Sequence, residues 1–188
     1  SNKSLSSVAI HPTDDDIVYV GSGDFWNIKV KSNNRTYSNP RGVSANPGRI
    51  WRTANRGNVW HLKNNGIHQK AEIGKIIVDP VKTARVYAAT NWGLYKSTNH
   101  GDDWNLVDVG DRPMLQSPAG DSDNPMVRDM TLHYDENTGN VTLYVIEQTH
   151  WEPDGNGSIT SYGGVFKSTD RGDTWEDITS NLKFDISA

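Results

Sequence analysis

Apolar residues in this chain fall in short runs broken by polar turns, and the runs come in fours. The first run, 6–10, carries Val8 and Ile10 and stops at His11-Pro12, where proline ends strand pairing. A polar turn over 13–16 leads to Ile17-Val18-Tyr19-Val20, a β-branched and aromatic run that predicts a second strand. After a polar stretch without helical or strand period, 21–48, come a third strand at 49–52 and a fourth at 59–62. The same order returns at 75–78, 85–89, 93–96 and 104–107, and Pro80 lies as far from Tyr87 as Pro12 does from Tyr19. A proline-containing acidic linker, 108–125, precedes the third set: 127–134, 141–146, a long loop over 147–162, then 164–167 and 175–178. The segment 183–187 has the look of another first strand.

Each third and fourth strand is joined by one turn pattern: a hydroxyl residue, Asp or Asn at +2, Gly at +4 and Trp at +7. The copies are Thr53, Asn55, Gly57, Trp60; Ser97, Asn99, Gly101, Trp104; and Ser168, Asp170, Gly172, Trp175. The short oxygen-bearing side chains can cap backbone N–H groups, glycine takes positive φ, and tryptophan anchors the next strand. Repetition in register points to a repeat architecture. The fold expected is all-β: a β-propeller arc of three four-stranded antiparallel blades, 5–63, 73–108 and 126–179. Three blades do not close a ring. The arc is therefore read as part of a six- to eight-bladed ring, completed by remaining blades or another chain, or else as an arc that closes by oligomerising.

The turn pattern and blade plan resemble the Asp-box (BNR repeat) propellers. These include the sialidases, the family 74 xyloglucanases, the sortilin-type Vps10 domains and the photosystem II assembly factor group. The resemblance covers the chain outside its three long loops. It rests on the Ser97 and Ser168 copies; the Thr53 copy departs from it with Asn58-Val59 before its tryptophan. The resemblance to the xyloglucanases implies a catalytic Asp soon after a second strand, in a Thr-Asp-x-Gly-Gly-like setting. Here Thr90-Asn91-Trp92-Gly93 puts Asn91 at that place, and an amide is no general acid or base. A sialidase resemblance implies an arginine triad and a tyrosine nucleophile. Arg35, Arg49 and Arg128 lie on suitable segments, but the family's first-blade arginine motif is not recognisable.

Charge and composition narrow the function. With 19 Lys+Arg against 23 Asp+Glu, the net charge is −4 and no basic run exists, so no nucleic-acid partner is expected. The absence of cysteine excludes disulfides and thiolate metal sites. No apolar stretch reaches the roughly 18 residues of a membrane helix. The low mean hydropathy of −0.71 suits a turn-rich β protein. No cofactor is expected, and the protein is read as secreted or cell-surface, with any signal segment removed or outside this chain. The four Asn-x-Ser/Thr sequons, at Asn2, Asn34, Asn140 and Asn156, are read as chance matches.

In an up-and-down blade the first-to-second and third-to-fourth turns share one face. The long insertions 21–48, 108–125 and 147–162 therefore share the other, where loops on a rigid scaffold carry binding. Trp26, Trp92 and Trp151 each follow a second strand and are expected on that face, with Asn91, His150 and Arg49 beside them. Exposed tryptophans among carboxylates and amides suit stacking on sugar rings or a protein hot spot. The expected ligand is a polysaccharide or a protein. Carboxylates for glycoside hydrolysis would come from Asp24 and Glu147, with Asp121, Asp123, Glu152 and Asp154 also on that face. The 121–124 run lacks the closing Glu of a calcium loop and the histidines lack metal spacing, so no metal site is assigned. Three readings stand: a non-catalytic ligand-binding propeller segment, one arc of a glycoside hydrolase, or a sorting or assembly scaffold.

Overall fold

A computed structural model describes residues 4–23, 48–69, 71–110, 126–153 and 159–182, with 148–153 and 159–162 described by their backbone. It is all-β, in three four-stranded antiparallel sheets, apart from a 3-10 turn at Thr179–Asn181. Blade 1 comprises β1 (Leu5–His11), β2 (Asp14–Ser22), β3 (Ile50–Ala54) and β4 (His61–Leu62). Blade 2 comprises β5 (Ile73–Val78), β6 (Val86–Thr90), β7 (Gly93–Ser97) and β8 (Asn105–Val107). Blade 3 comprises β9 (Val127–Asp135), β10 (Asn140–Pro153), β11 (Ile159–Ser168) and β12 (Glu176–Asp177). Within each blade the strands pair in chain order, forming an arc of propeller blades.

The core lies between the blades. Residues alternate across a strand, so blade 2 sends one set of side chains each way. Val86, Ala88 and Tyr95 pack with Tyr19, Ile50, Ile73, Ile76 and Trp104 at the boundary with blade 1. Tyr87, Ala89 and Leu94 pack with Val127, Met130, Leu143 and Phe166 at the boundary with blade 3. This two-sided burial explains why β6 reads as a continuous apolar run.

Two sequence expectations are corrected. The 147–162 loop is largely strand: after a register irregularity between Glu147 and His150, β10 and β11 pair out to Pro153 and Ile159. Trp151, Ile159, Thr160 and Tyr162 are residue types of high β-propensity, which suits that pairing. His150 and Trp151 are thus strand residues. The polar turn at 13–16 is also shorter, because His11 already pairs with Asp14. Residues 24–47, 111–125 and 183–187, including Asp24 and Trp26, lie outside the described residues.

Candidate functional site

The three turns share one hydrogen-bond scheme. The hydroxyl of Thr53, Ser97 and Ser168 accepts from the N–H of Gly57, Gly101 and Gly172, at 3.0, 2.9 and 2.7 Å. That hydroxyl donates to Oδ1 of Asn55, Asn99 and Asp170, which also accepts from the N–H of Val59, Asp103 and Thr174. The residue at +3 is left-handed without being glycine: Arg56, His100 and Arg171 have φ of 56°, 60° and 63°. Burial works against the Asp170 carboxylate. Donation from the Thr174 hydroxyl and N–H, the Ser168 hydroxyl and the Asp173 N–H nevertheless holds it well below the usual carboxylate range.

At this end of the arc the two turns of a blade are tied to each other. Arg56 bonds Asp15 and Asp16, and the His100 N–H donates to Ala84 O, so both turn sets lie together. Asp14, Asp15 and Asp16 bring their carboxylates within 4.8 Å of one another, the single such group among the described residues, and Arg56 offsets their charge. The Asp102 carboxyl is held low by the Lys63 ammonium bonded to it.

The opposite end is where the long insertions attach. Ser22, Thr90 and Glu147 occupy one register position in the three blades, opposite Leu5, Ile73 and Val127. All three are buried, as are Glu72 and Asn91 nearby. Asn91 Oδ1 accepts from the Glu72 N–H at 2.7 Å, and the Asn91 N–H donates back to Glu72 O at 3.3 Å. The Thr90 hydroxyl donates to Gly93 O and accepts from the Trp92 N–H, closing a tight β6–β7 hairpin. Blade 1 presses onto this corner. A Cβ on Gly48 would come 2.5 Å from Ser22 O and 2.6 Å from Ala71 O, and one on Gly23 would meet Glu72 Cβ at 2.7 Å. The Arg49 N–H donates to Ser22 Oγ.

Trp92 does not stand out as a platform. Its indole is 4% exposed and stacks on His68, with ring centroids 3.9 Å apart. The hairpin turns the indole inward over the 63–69 connection. Asn91 is likewise committed to the Glu72 backbone and is 2% exposed. Arg49 is half-buried and Glu147 buried. The structure adds two residues the sequence reading passed over, Glu72 and His68. Glu72 precedes the apolar run of β5 and has no pattern of its own; only its place one residue before a strand at the loop end could have marked it. Glu72, before the first strand of blade 2, and Glu147, at the equivalent of Thr90 in blade 3, are thus two buried carboxylates toward the loop end of the arc.

Comparison with known proteins bears on the fold. No family model matches. A curated xyloglucanase from Paenibacillus sp is 25% identical over 181 residues, 91% of this chain and 16% of that protein. An ancestral GH74 enzyme superposes with a TM-score of 0.66 at 20% identity, covering 97% of this chain and 21% of the other. The chain resembles a GH74 propeller. The Niastella koreensis GH74 enzyme gives 0.50 at 18% identity, covering 93% of this chain and 30% of its own. YCF48 from Cyanidioschyzon merolae also gives 0.50, at 10% identity, covering all of this chain and 45% of its own, and so shares the blade plan alone. This chain spans a third or less of the xyloglucanase and GH74 relatives.

Proposed function

We propose that this arc belongs to an extracytoplasmic propeller that binds a xyloglucan-type β-glucan on its loop end. The observation that carries this reading is the 25% identity to a xyloglucanase, sustained over 91% of the chain. The loop end supports it chemically. Two buried carboxylates, Glu72 and Glu147, lie toward that end of blades 2 and 3. Asn91 stands where the xyloglucanase resemblance implies an acid, so this arc contributes binding surface, and catalytic carboxylates come from Asp24, Glu147 or further blades. The test is affinity electrophoresis of the protein in xyloglucan gels, with release of reducing ends measured in parallel. Retardation by xyloglucan supports the reading, and migration unchanged by every β-glucan contradicts it. Loss of hydrolysis in Asp24→Asn or Glu147→Gln with retained binding assigns catalysis to this arc. Retarded migration without any hydrolysis leaves binding alone.

A further inference from the structure

The two internal boundaries of the arc use matching positions, and at one pair of them the chemistry differs. Asp79 precedes Pro80 after the first strand of blade 2, and His11 precedes Pro12 after the first strand of blade 1. The register agrees: Ile77 lies opposite Tyr87, and Ala9 lies opposite Tyr19. On the facing turns, Arg171 and His100 each stand three residues after the turn serine, and both are left-handed. Between blades 2 and 3 these positions form the Asp79–Arg171 ion pair, at 3.1 Å. Between blades 1 and 2 they bring two imidazoles together. The His11 and His100 rings stack with centroids 6.3 Å apart and 26° between their planes.

His11 also copies the capping role of Asp79. Asp79 Oδ1 accepts from the Val81 N–H, two residues on, at 2.8 Å. His11 Nδ1 accepts from the Thr13 N–H, two residues on, at 3.4 Å. An accepting Nδ1 carries no proton, so this ring is neutral. Protonation would remove the acceptor and place a charge on a residue only 7% exposed. His100 Nδ1 is buried and has no hydrogen-bond partner among the described residues, so a proton there finds no acceptor.

The charged groups around the pair are Asp14 on β2, Arg52 on β3, Lys63 in the connection between the blades, and Asp102 in the His100 turn. Asp14 lies opposite His11 and favours its charged form. Asp102 is already matched by Lys63, which bonds to it, and by Arg52 at 3.8 Å. Burial outweighs Asp14, and His100 adds to the effect of burial, so His11 is held below the ordinary histidine value. His11 therefore takes up a proton more readily once it is released from the boundary. Its contribution to the contact is complete above about pH 6.5 and is lost as pH falls below that value. The Asp79–Arg171 pair contains no histidine and keeps its charges across that range.

We propose that the blade 1–blade 2 boundary is a pH-responsive joint: mild acid charges the His11–His100 pair and parts the Ser97 turn from blade 1, while the blade 2–blade 3 boundary stays closed. Protonation of clustered histidines is a general way to bias a packed interface. The bonds given up are those that Tyr19 Oη and Arg52 donate to His100 O, at 3.2 and 2.8 Å.

Hydrogen–deuterium exchange of the protein at about pH 7.5 and 5.5, corrected for the intrinsic pH dependence of exchange, spans the histidine range and tests this. The result expected is a loss of protection in peptides covering 7–13 and 98–104 at the lower pH, with 168–175 unchanged. His11→Asp/His100→Arg installs the pair of the other boundary. His11→Asn/His100→Asn leaves two neutral side chains, and asparagine tolerates the left-handed position. In either variant, shown to be folded by near-UV circular dichroism, the acid-induced loss is absent. The comparison of the two turns in the wild type stands whatever the stability of the variants. Wild-type protection that does not change between the two pH values overturns the proposal. So does an equal loss at both turns, or a loss that persists in a folded variant.

Discussion

Tyr87 Oη donates to the backbone carbonyl of Arg171, 2.9 Å away and 84 residues later in the chain. Burial raises the phenol well above its ordinary value, so it stays protonated and able to donate throughout the pH range of a folded protein. The bond fixes blade 2 against the turn of blade 3. At the other boundary the corresponding His100 carbonyl has a second donor, Arg52. Tyr87→Phe therefore destabilises the fold by about 1–2 kcal/mol, and Tyr19→Phe by less. Urea unfolding of the two variants checks the order; equal losses would show that Arg52 does not compensate.

The same boundary holds an ion pair. Arg171 Nε donates to Asp79 Oδ2 at 3.1 Å, with the Asp79 side chain fully buried and that of Arg171 19% exposed. Asp79 Oδ1 accepts from the Val81 and Lys82 N–H groups, so the carboxylate also caps its own turn. Removing one partner from a buried pair leaves an uncompensated charge. Arg171→Ala is expected to cost about 3 kcal/mol, well above the effect of Arg56→Ala, whose ion pairs are exposed. Thermal unfolding of both variants gives the comparison.

Asp170 sets the acid limit of the Ser168 turn. Its carboxyl titrates lower in the folded than in the unfolded chain, so the folded state binds fewer protons there. The stability it contributes is complete above the unfolded value and is lost as pH falls toward the folded one. Asp170→Asn removes that dependence while keeping the Oδ1 acceptor, as Asn55 and Asn99 do in the other copies. The expected outcome is a shallower fall in unfolding temperature below pH 4, the ordinary carboxylate range, with little change at neutral pH. An unaltered acid limb in the variant would contradict the assignment.

Two glycines separate backbone strain from contact. Gly66 and Gly139 have φ of +90° and +72°. A Cβ at Gly66 would lie 2.0 Å from Trp104 O, whereas at Gly139 it meets nothing within 4 Å. Gly139→Ala costs about 1 kcal/mol of left-handed strain, and Gly66→Ala about 2–4 kcal/mol because the blade 1–blade 2 connection must move. Denaturant midpoints of the two variants measure the gap.

The blades were legible because each local signal agreed with the repeat: β-branched runs, Pro12, and the Ser168–Trp175 turn all marked the same unit. The β10–β11 extension was less so, because the polar residues among Glu147–Trp151 hid a pairing that only its partner strand reveals. Trp92 was placed correctly after its strand, but whether an indole points outward depends on what lies beneath it, and His68 comes from a connection with no pattern. That Glu72 and Glu147 are buried depends on how the blades pack, which no local pattern marks. The left-handed Arg56, His100 and Arg171 were likewise hidden, since their conformation is imposed by the turn hydrogen bonds rather than by residue type.

Hydrogen–deuterium exchange of the protein with and without a xyloglucan oligosaccharide tests the central claim, that ligand sits on the loop end. The account predicts slowed exchange in peptides covering 48–52, 71–75 and 90–94, with 53–60, 97–104 and 168–175 unchanged. Protection centred on the turn peptides, or none anywhere at saturating oligosaccharide, would contradict it.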